Sequence, residues 1–228
     1  MQILNEPFKL KRLIQQNRID EILPDSILKT CELCKFSRDE SVLVADTTMP
    51  YFYFFVSGKL KVFQMHENGK AILIQFYSHF DSLGEVELMS DVDTSCSVSA
   101  VSSSELIRIP MAVLKAEALD YPPFLRYMIR SLATKLLVAD RHHASNLLYP
   151  VINRLSSYIY AHENDNQEVV IKESLQDVSE FIGTSYRQLH RAFETLEAKG
   201  IIKRTNKRIL VLNKDHLKLI AGDIYGGE

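Results

Sequence analysis

The chain has 228 residues, 46% of them apolar and 25% charged, with a formal net charge of −2. That length supports one or two globular domains with cores of their own, and 11 Phe and 10 Tyr beside an ordinary charge fraction exclude wholesale disorder. No uncharged apolar run approaches the ~18–20 residues of a membrane span; the longest, Tyr51–Val56, is the size of a strand.

From Glu6 to Arg18 the spacing predicts a short amphipathic helix, with Phe8, Leu10, Leu13 and Ile14 as its apolar stripe. A second helical turn is expected at Asp25–Leu28. Between Cys31 and Pro110 the period changes to short runs rich in Val, Ile, Phe and Tyr: Leu33–Phe36, Ser41–Val44, Tyr51–Val56, Leu60–Met65, Ile72–Tyr77, Ser97–Val101 and Glu105–Ile109. Glu67-Asn68-Gly69-Lys70 is a hairpin signal, because Asn-Gly accepts the positive φ of a type I′ turn. Seven or eight strands at this spacing predict a closed barrel or jelly roll, an architecture that removes exposed sheet edges.

Helical periodicity takes over at Met111. Met111–Tyr121 reads as a short helix, and Pro122-Pro123 opens a longer one, Phe124–Leu148, about 37 Å long at 1.5 Å per residue. Leu125, Met128, Leu132, Leu136, Ala139 and Leu147 recur on it at spacings of three and four. A stripe that long on a projecting helix predicts a self-associating seam, with His143 close to it. Pro150 stops the helix. The expected organisation is residues 1–121 as a β-rich sensor domain, 122–149 as a dimerisation helix and 150–228 as a second domain.

In that last stretch the charge changes sign. Glu163–Glu180 holds six acids and one base, whereas Arg187–Arg208 holds seven bases and two acids. After a helix (Val151–Ala161) and a short strand (Val169–Ile171) come two helices joined by a tight turn. Ser174 and Ser185 are their expected N-caps and Gly183 supplies the turn. Leu175, Val178, Phe181 and Ile182 bury one helix; Leu189, Ala192, Phe193 and Leu196 bury the other. Ile201–Arg204 and Arg208–Leu212 form a hairpin around Asn206. The pattern is a winged helix-turn-helix. Its outer face carries Ser185, Tyr186, Arg187, Gln188, His190 and Arg191, polar and long-armed as the major groove of double-stranded DNA requires. The wing carries Lys203, Arg204, Lys207 and Arg208, expected over the phosphate backbone.

Taken in order, these features resemble the Crp/Fnr transcription regulators over essentially the whole chain. The resemblance rests on Val56-Ser-Gly-Lys59, the cassette Leu83-Gly-Glu-Val-Glu-Leu-Met89, the long helix, and Val178-Ser-Glu-Phe-Ile-Gly-Thr-Ser-Tyr-Arg-Gln-Leu-His-Arg191. The Ser-Tyr-Arg-Gln segment is similar to the YeiL-like subgroup. The resemblance implies an α+β fold: a jelly-roll sensor resembling cyclic-nucleotide-binding domains, a dimer helix and a DNA-binding winged helix. It further implies a cytoplasmic bacterial homodimer on a palindromic operator, with RNA polymerase as a partner if it activates. Members that read TGTGA-like or TTGAT-like half-sites carry a Glu at the position of Arg187 and an Arg at that of Arg191. Arg187 therefore implies guanine in place of cytosine at one base pair.

The sensor departs from the family. Cyclic-nucleotide binders carry Gly-Glu, present as Gly84-Glu85, then Arg-Ser or Arg-Thr, which falls on Thr94-Ser95. There is no Arg or Lys from Ser78 to Glu105, and the family's adenine-contacting pair falls on Asp140-Arg141. A phosphate beside Glu85, Glu87, Asp91 and Asp93 lacks a cation. Cyclic AMP is therefore not expected to bind, and Glu85 is expected to hold backbone amides instead. Cys31 and Cys34, three apart on a strand, point to opposite faces and cannot chelate together; Cys96 is expected to be a small core residue. No catalytic constellation emerges, and neither a metal nor a cofactor is expected. A cupin-type metal oxidase needs two or three His on the barrel strands, where His66 and His79 are the only ones. A regulatory subunit that does not bind DNA is disfavoured by the basic winged helix. Met1–Pro7 has no basic region followed by an apolar core, and three cysteines cannot all pair, so reduced thiols in the cytoplasm and no membrane partner are expected.

Overall fold

The computed structural model describes residues 1–65, 71–164, 167–171, 174–205, 208–222 and 224, with the backbone alone at Ala71, Ile72 and His142. The expected Asn68-Gly69 turn, the Asn206 turn and Lys207 lie outside the described residues. Contacts divide the chain into two units, Met1–Leu136 and Leu137–Glu228.

In the first unit, β1 (Gln2–Leu4), β2 (Glu32–Phe36), β9 (Ser104–Pro110), β4 (Tyr51–Ser57) and β7 (Asp81–Leu83) form a five-stranded sheet in the order β1-β2-β9-β4-β7. A four-stranded sheet follows the order β3 (Ser41–Leu43), β8 (Ser97–Ala100), β5 (Leu60–Met65), β6 (Ala71–Tyr77). All the pairings are antiparallel. β5 and β6 pair up to Met65↔Ala71, one residue away from the Met65↔Ile72 pairing that a two-residue Asn68-Gly69 turn requires, and the register shifts between Val62 and Phe63. Two antiparallel sheets are the jelly-roll alternative of the expected architecture. The aromatic strand β4 is buried on both faces, with Phe52 and Phe54 beside Phe124 and Tyr127 and Phe55 beside Tyr77 of β6. β1 and β7, which are not among the expected elements, have three residues each, too few for a period-of-two signal.

Around the sheets lie α1 (Pro7–Gln16), a 3₁₀ turn (Ile19–Glu21), α2 (Asp25–Leu28), α3 (Glu85–Ser90) and α4 (Met111–Glu117). Phe8 is not part of the buried stripe of α1: it is 91% exposed, whereas Ile14 is buried. At 100° per residue it lies about 200° from Leu10, on the opposite side of the helix.

The long helix α5 (Pro122–Leu148) begins in the first unit and ends in the second. Phe124 and Met128 are buried in the sensor core. One residue further round, Ile129, Leu136 and Leu147 are 67%, 63% and 72% exposed, and Leu125 and Leu132 are half-buried. Met128 therefore belongs to the sensor core and Ile129 takes its place on the outer stripe, because neighbouring positions on a helix lie about 100° apart and one apolar band spans two faces.

The second unit holds α6 (Val151–Ala161), β10 (Glu168–Val170), α7 (Leu175–Phe181), α8 (Tyr186–Ala198), β11 (Ile202–Thr205), β12 (Arg208–Val211) and α9 (Lys214–Ala221). The three strands pair in the order β10-β12-β11. α9, a helix not among the expected elements, is capped by Asn213 Oδ1 accepting from His216 N at 3.0 Å.

Candidate nucleic-acid interface

Both helices of the helix-turn-helix start on capping boxes. Ser174 Oγ accepts from Asp177 N at 3.0 Å while Asp177 Oδ2 accepts from Ser174 N at 3.2 Å. Ser185 Oγ accepts from Gln188 N at 3.3 Å. Between them Gly183 has φ +68°, and a Cβ there would come 2.7 Å from the Asn146 side chain. Gly183→Ala is accordingly expected to cost about 1–2 kcal/mol from the left-handed backbone alone, with the Asn146 contact added. Urea denaturation measures it, and an unchanged midpoint would contradict the assignment.

Helix α8 buries Leu189, Ala192, Phe193 and Leu196 and presents Tyr186, Arg187 and Arg191 to solvent. Arg187 and Arg191 are one turn apart on that face and make no ion pair among the described residues. Two predicted base readers have structural work. The amide oxygen of Gln188 accepts from Thr184 Oγ1 at 2.9 Å and from Ser185 Oγ at 3.2 Å, so both Gln188 and Ser185 build the helix start. His190 is half-buried, its ring 4.6 Å from that of Tyr186, and its Nε2 is buried with no hydrogen-bond partner among the described residues.

The wing separates its cations by pleat. On β11, Lys203 and Thr205 face outward and Ile202 is buried. Across the pair, Lys203 lies opposite Leu210 and Thr205 opposite Arg208, which places Lys203 and Arg208 on the exposed face. Arg208 Nη1 lies 3.5 Å from Glu168 Oε2. Arg204 does not join them. It is 23% exposed in its side chain and paired with Glu197 Oε2 at 2.9 Å, against the expectation of a phosphate contact.

Behind the turn, Arg154 of α6 is 6% exposed. Its Nη1 donates to Asn146 Oδ1 at 2.5 Å and to the carbonyl of Ile182. One guanidinium thus ties the last turns of α5 to the bend of the helix-turn-helix. No sequence motif announces it; an Arg inside an otherwise apolar stripe is the only signal.

In the first unit, the cassette of Gly84 and Glu85 is organised by α5. Glu85 is 4% exposed. Its Oε1 accepts from Ser82 Oγ at 2.5 Å, Ser131 Oγ at 2.7 Å and Lys135 Nζ at 2.5 Å. Lys135 also donates to the Ser82 carbonyl at 2.6 Å and lies 3.3 Å from Asp81. Burial works to lower the ammonium's pKa, but Glu85, Tyr77 and Asp81 around it hold it above the ordinary lysine range. Burial raises the Asp81 carboxyl. Two expectations are corrected: Glu85 is held by side chains rather than by backbone amides, and a cation does stand beside it. That cation comes from 50 residues away, outside the Ser78–Glu105 window. Thr94 is buried, with its Oγ1 donating to the carbonyls of Val44 and Thr47; Ser95 is exposed.

Residues 33–120 match the family model of the cyclic nucleotide-binding domain, and residues 153–220 match that of the Crp-like helix-turn-helix domain. The chain belongs to the Crp/Fnr family of transcription regulators. Its sensor has the β-rich fold of that family and its C-terminal unit is a DNA-binding winged helix. This Crp/Fnr regulator is 23% identical over 208 residues to the regulatory protein YeiL of Escherichia coli O157:H7, covering 87% of this chain and 94% of that protein. It is 18% identical over 199 residues to the CRP-like cAMP-activated global transcriptional regulator of Mycobacterium tuberculosis, covering 84% and 89%. Among solved structures, FixK2 from Bradyrhizobium japonicum superposes with a TM-score of 0.72 at 17% identity, over 84% of this chain and 98% of that one.

The cysteines of this Crp/Fnr chain are free. Cys31 precedes β2 and Cys34 lies on it, both buried. Burial pushes their thiols up to about 12 and about 11, which disfavours the reactive thiolate. Cys96 is half-buried and its thiol is likewise raised by burial. No group of three or more His, Cys, Asp or Glu is placed to share a metal ion among the described residues, and no described helix is long and apolar enough to cross a membrane.

Proposed function

We propose that this regulator acts as a cytoplasmic homodimer that reads a palindromic DNA site, each α8 entering a major groove with Arg187 and Arg191 as its base readers. The observation that carries the reading is the pair of exposed arginines, without an ion pair among the described residues, one turn apart on a helix whose start and inner face are both pinned. The outer stripe of Leu125, Ile129, Leu132, Leu136, Ala139 and Leu147, half-buried at Leu125 and Leu132 and exposed at the rest, supplies the two-fold seam. A two-fold related pair of recognition helices spans about one DNA turn, ~34 Å. In this reading residues 1–121 sense, 122–149 dimerise and 150–228 bind DNA, with RNA polymerase a further partner where the regulator activates. The Ser185-Tyr186-Arg187-Gln188 segment and the likeness to YeiL support placement in the YeiL-like subgroup.

Selection from random duplexes tests the DNA reading. A half-site with guanine at the Arg187 position is expected. Arg187→Ala and Arg191→Ala should each cost ~1–3 kcal/mol and relax one position, whereas Lys203→Ala should weaken all sequences alike. Recovery of the ordinary TGTGA or TTGAT half-site, or an unchanged site for Arg187→Ala, would remove Arg187 as a base reader. The effector of this regulator is not cyclic AMP: Glu85 Oε1 is already taken by three donors, and Thr94 is spent on backbone carbonyls. Calorimetry with cyclic AMP is expected to show no binding; micromolar affinity would refute this.

A further inference from the structure

Arg204 is the wing cation that breaks the pattern, and its surroundings explain why. On β11 it shares the inward side with Ile202, opposite to Lys203 and Thr205. Three of its donors converge on one carboxylate of α8: its backbone N on Glu197 Oε1 at 2.9 Å, Nε on Oε2 at 3.0 Å, and Nη2 on Oε2 at 2.9 Å. The guanidinium carbon also stands 4.5 Å from the ring centroid of Phe193, a fully buried residue of the same helix. Hydrogen bonding to Arg204 holds the Glu197 carboxyl below its ordinary range. A planar fork engaged this way, with its face on an aromatic ring, has its geometry fixed by the protein. A phosphate approaching it meets a carboxylate already in place.

We infer that Arg204 is a positioning residue for DNA binding: through Glu197 and Phe193 it sets the angle of the wing on the recognition helix, so that Lys203 and Arg208 face the backbone of the duplex. The inference rests on the DNA-reading function proposed above. It makes Glu197, an acid inside a basic interface, a requirement for binding. If Arg204 were itself a phosphate contact, Glu197 would be a competitor whose removal strengthens binding.

The test uses the full chain and the selected duplex, with affinity measured across a salt series. Glu197→Gln is expected to weaken binding about tenfold while leaving the salt slope unchanged. Lys203→Ala, the phosphate benchmark, should reduce that slope by about 0.9. Arg204→Lys keeps the charge but loses the fork, and should weaken binding as Arg204→Ala does. Amide exchange of the DNA-free protein separates positioning from unfolding: in Glu197→Gln, β11 and β12 should exchange faster while α7 and α8 keep their protection. The reciprocal pair Glu197→Arg with Arg204→Glu should recover part of the affinity. Tighter or unchanged binding by Glu197→Gln, a wild-type Arg204→Lys, or loss of α7 and α8 protection along with the wing would each overturn the inference. Failure of the unmodified protein to bind any duplex in a salt-dependent manner would instead overturn the DNA-reading function on which it rests.

Discussion

Lys135→Met is expected to destabilise the sensor unit by about 3–5 kcal/mol, the cost of leaving a buried carboxylate without its charge partner. Glu85 is almost wholly buried, and Lys135 is the cation on its Oε1, alongside two hydroxyls. Removing the ammonium also frees the Ser82 carbonyl and leaves Asp81 without its ion pair. The loss should appear as a lower urea midpoint of the sensor transition. Because the defect is the orphaned charge and not the missing side chain, Lys135→Met combined with Glu85→Met should recover most of it. A single variant as stable as the unmodified protein would show that solvent, rather than Lys135, compensates Glu85. The raised ammonium also fixes the pH window. A group whose folded pKa lies above its unfolded one contributes fully below the unfolded value and loses that contribution only as pH rises through the folded one, so this pair should persist through neutral and mildly alkaline conditions.

Leu136→Glu is expected to convert the proposed homodimer into a monomer. The side chain stands 63% exposed on the outward stripe of α5, so in the isolated chain the substitution disturbs little. Against a second copy it places an unpaired charge in an apolar seam, which costs several kcal/mol. Sedimentation velocity should show the monomer mass with an intact circular dichroism spectrum. Affinity for the selected duplex should fall in parallel, since each proposed half-site then binds alone. A dimer of unchanged affinity would remove this stripe as the seam. Met128→Ala is the contrasting variant: with Met128 buried in the sensor core, it should cost about 2–5 kcal/mol of stability and leave the dimer intact.

What could be read without a structure is what depends on chain neighbours. Ser174 and Ser185 cap helices because a side-chain oxygen three residues before a free N–H reaches it in any context. Gly183 turns the chain because its φ is positive. The winged helix-turn-helix is a string of such local signals, and so are the strands long enough to show alternation. Lys203 and Arg204, by contrast, look alike in the sequence, and only the observed pleat of β11 and the Glu197 pair separate them.

Contacts between distant segments were decided only by the tertiary structure. The partner of Glu85 lies 50 residues along the chain, and no spacing rule connects them. The same holds for Arg154, whose carbonyl partner at Ile182 is 28 residues away. Whether Met128 or Ile129 faces the sensor core turns on a 100° rotation of α5, set by what Phe124 packs against and not by the hydrophobic pattern, which both residues satisfy equally. Burial fixes these choices because an unpaired charge or a half-filled core is costly in place, and the place exists only once elements far apart in sequence have come together.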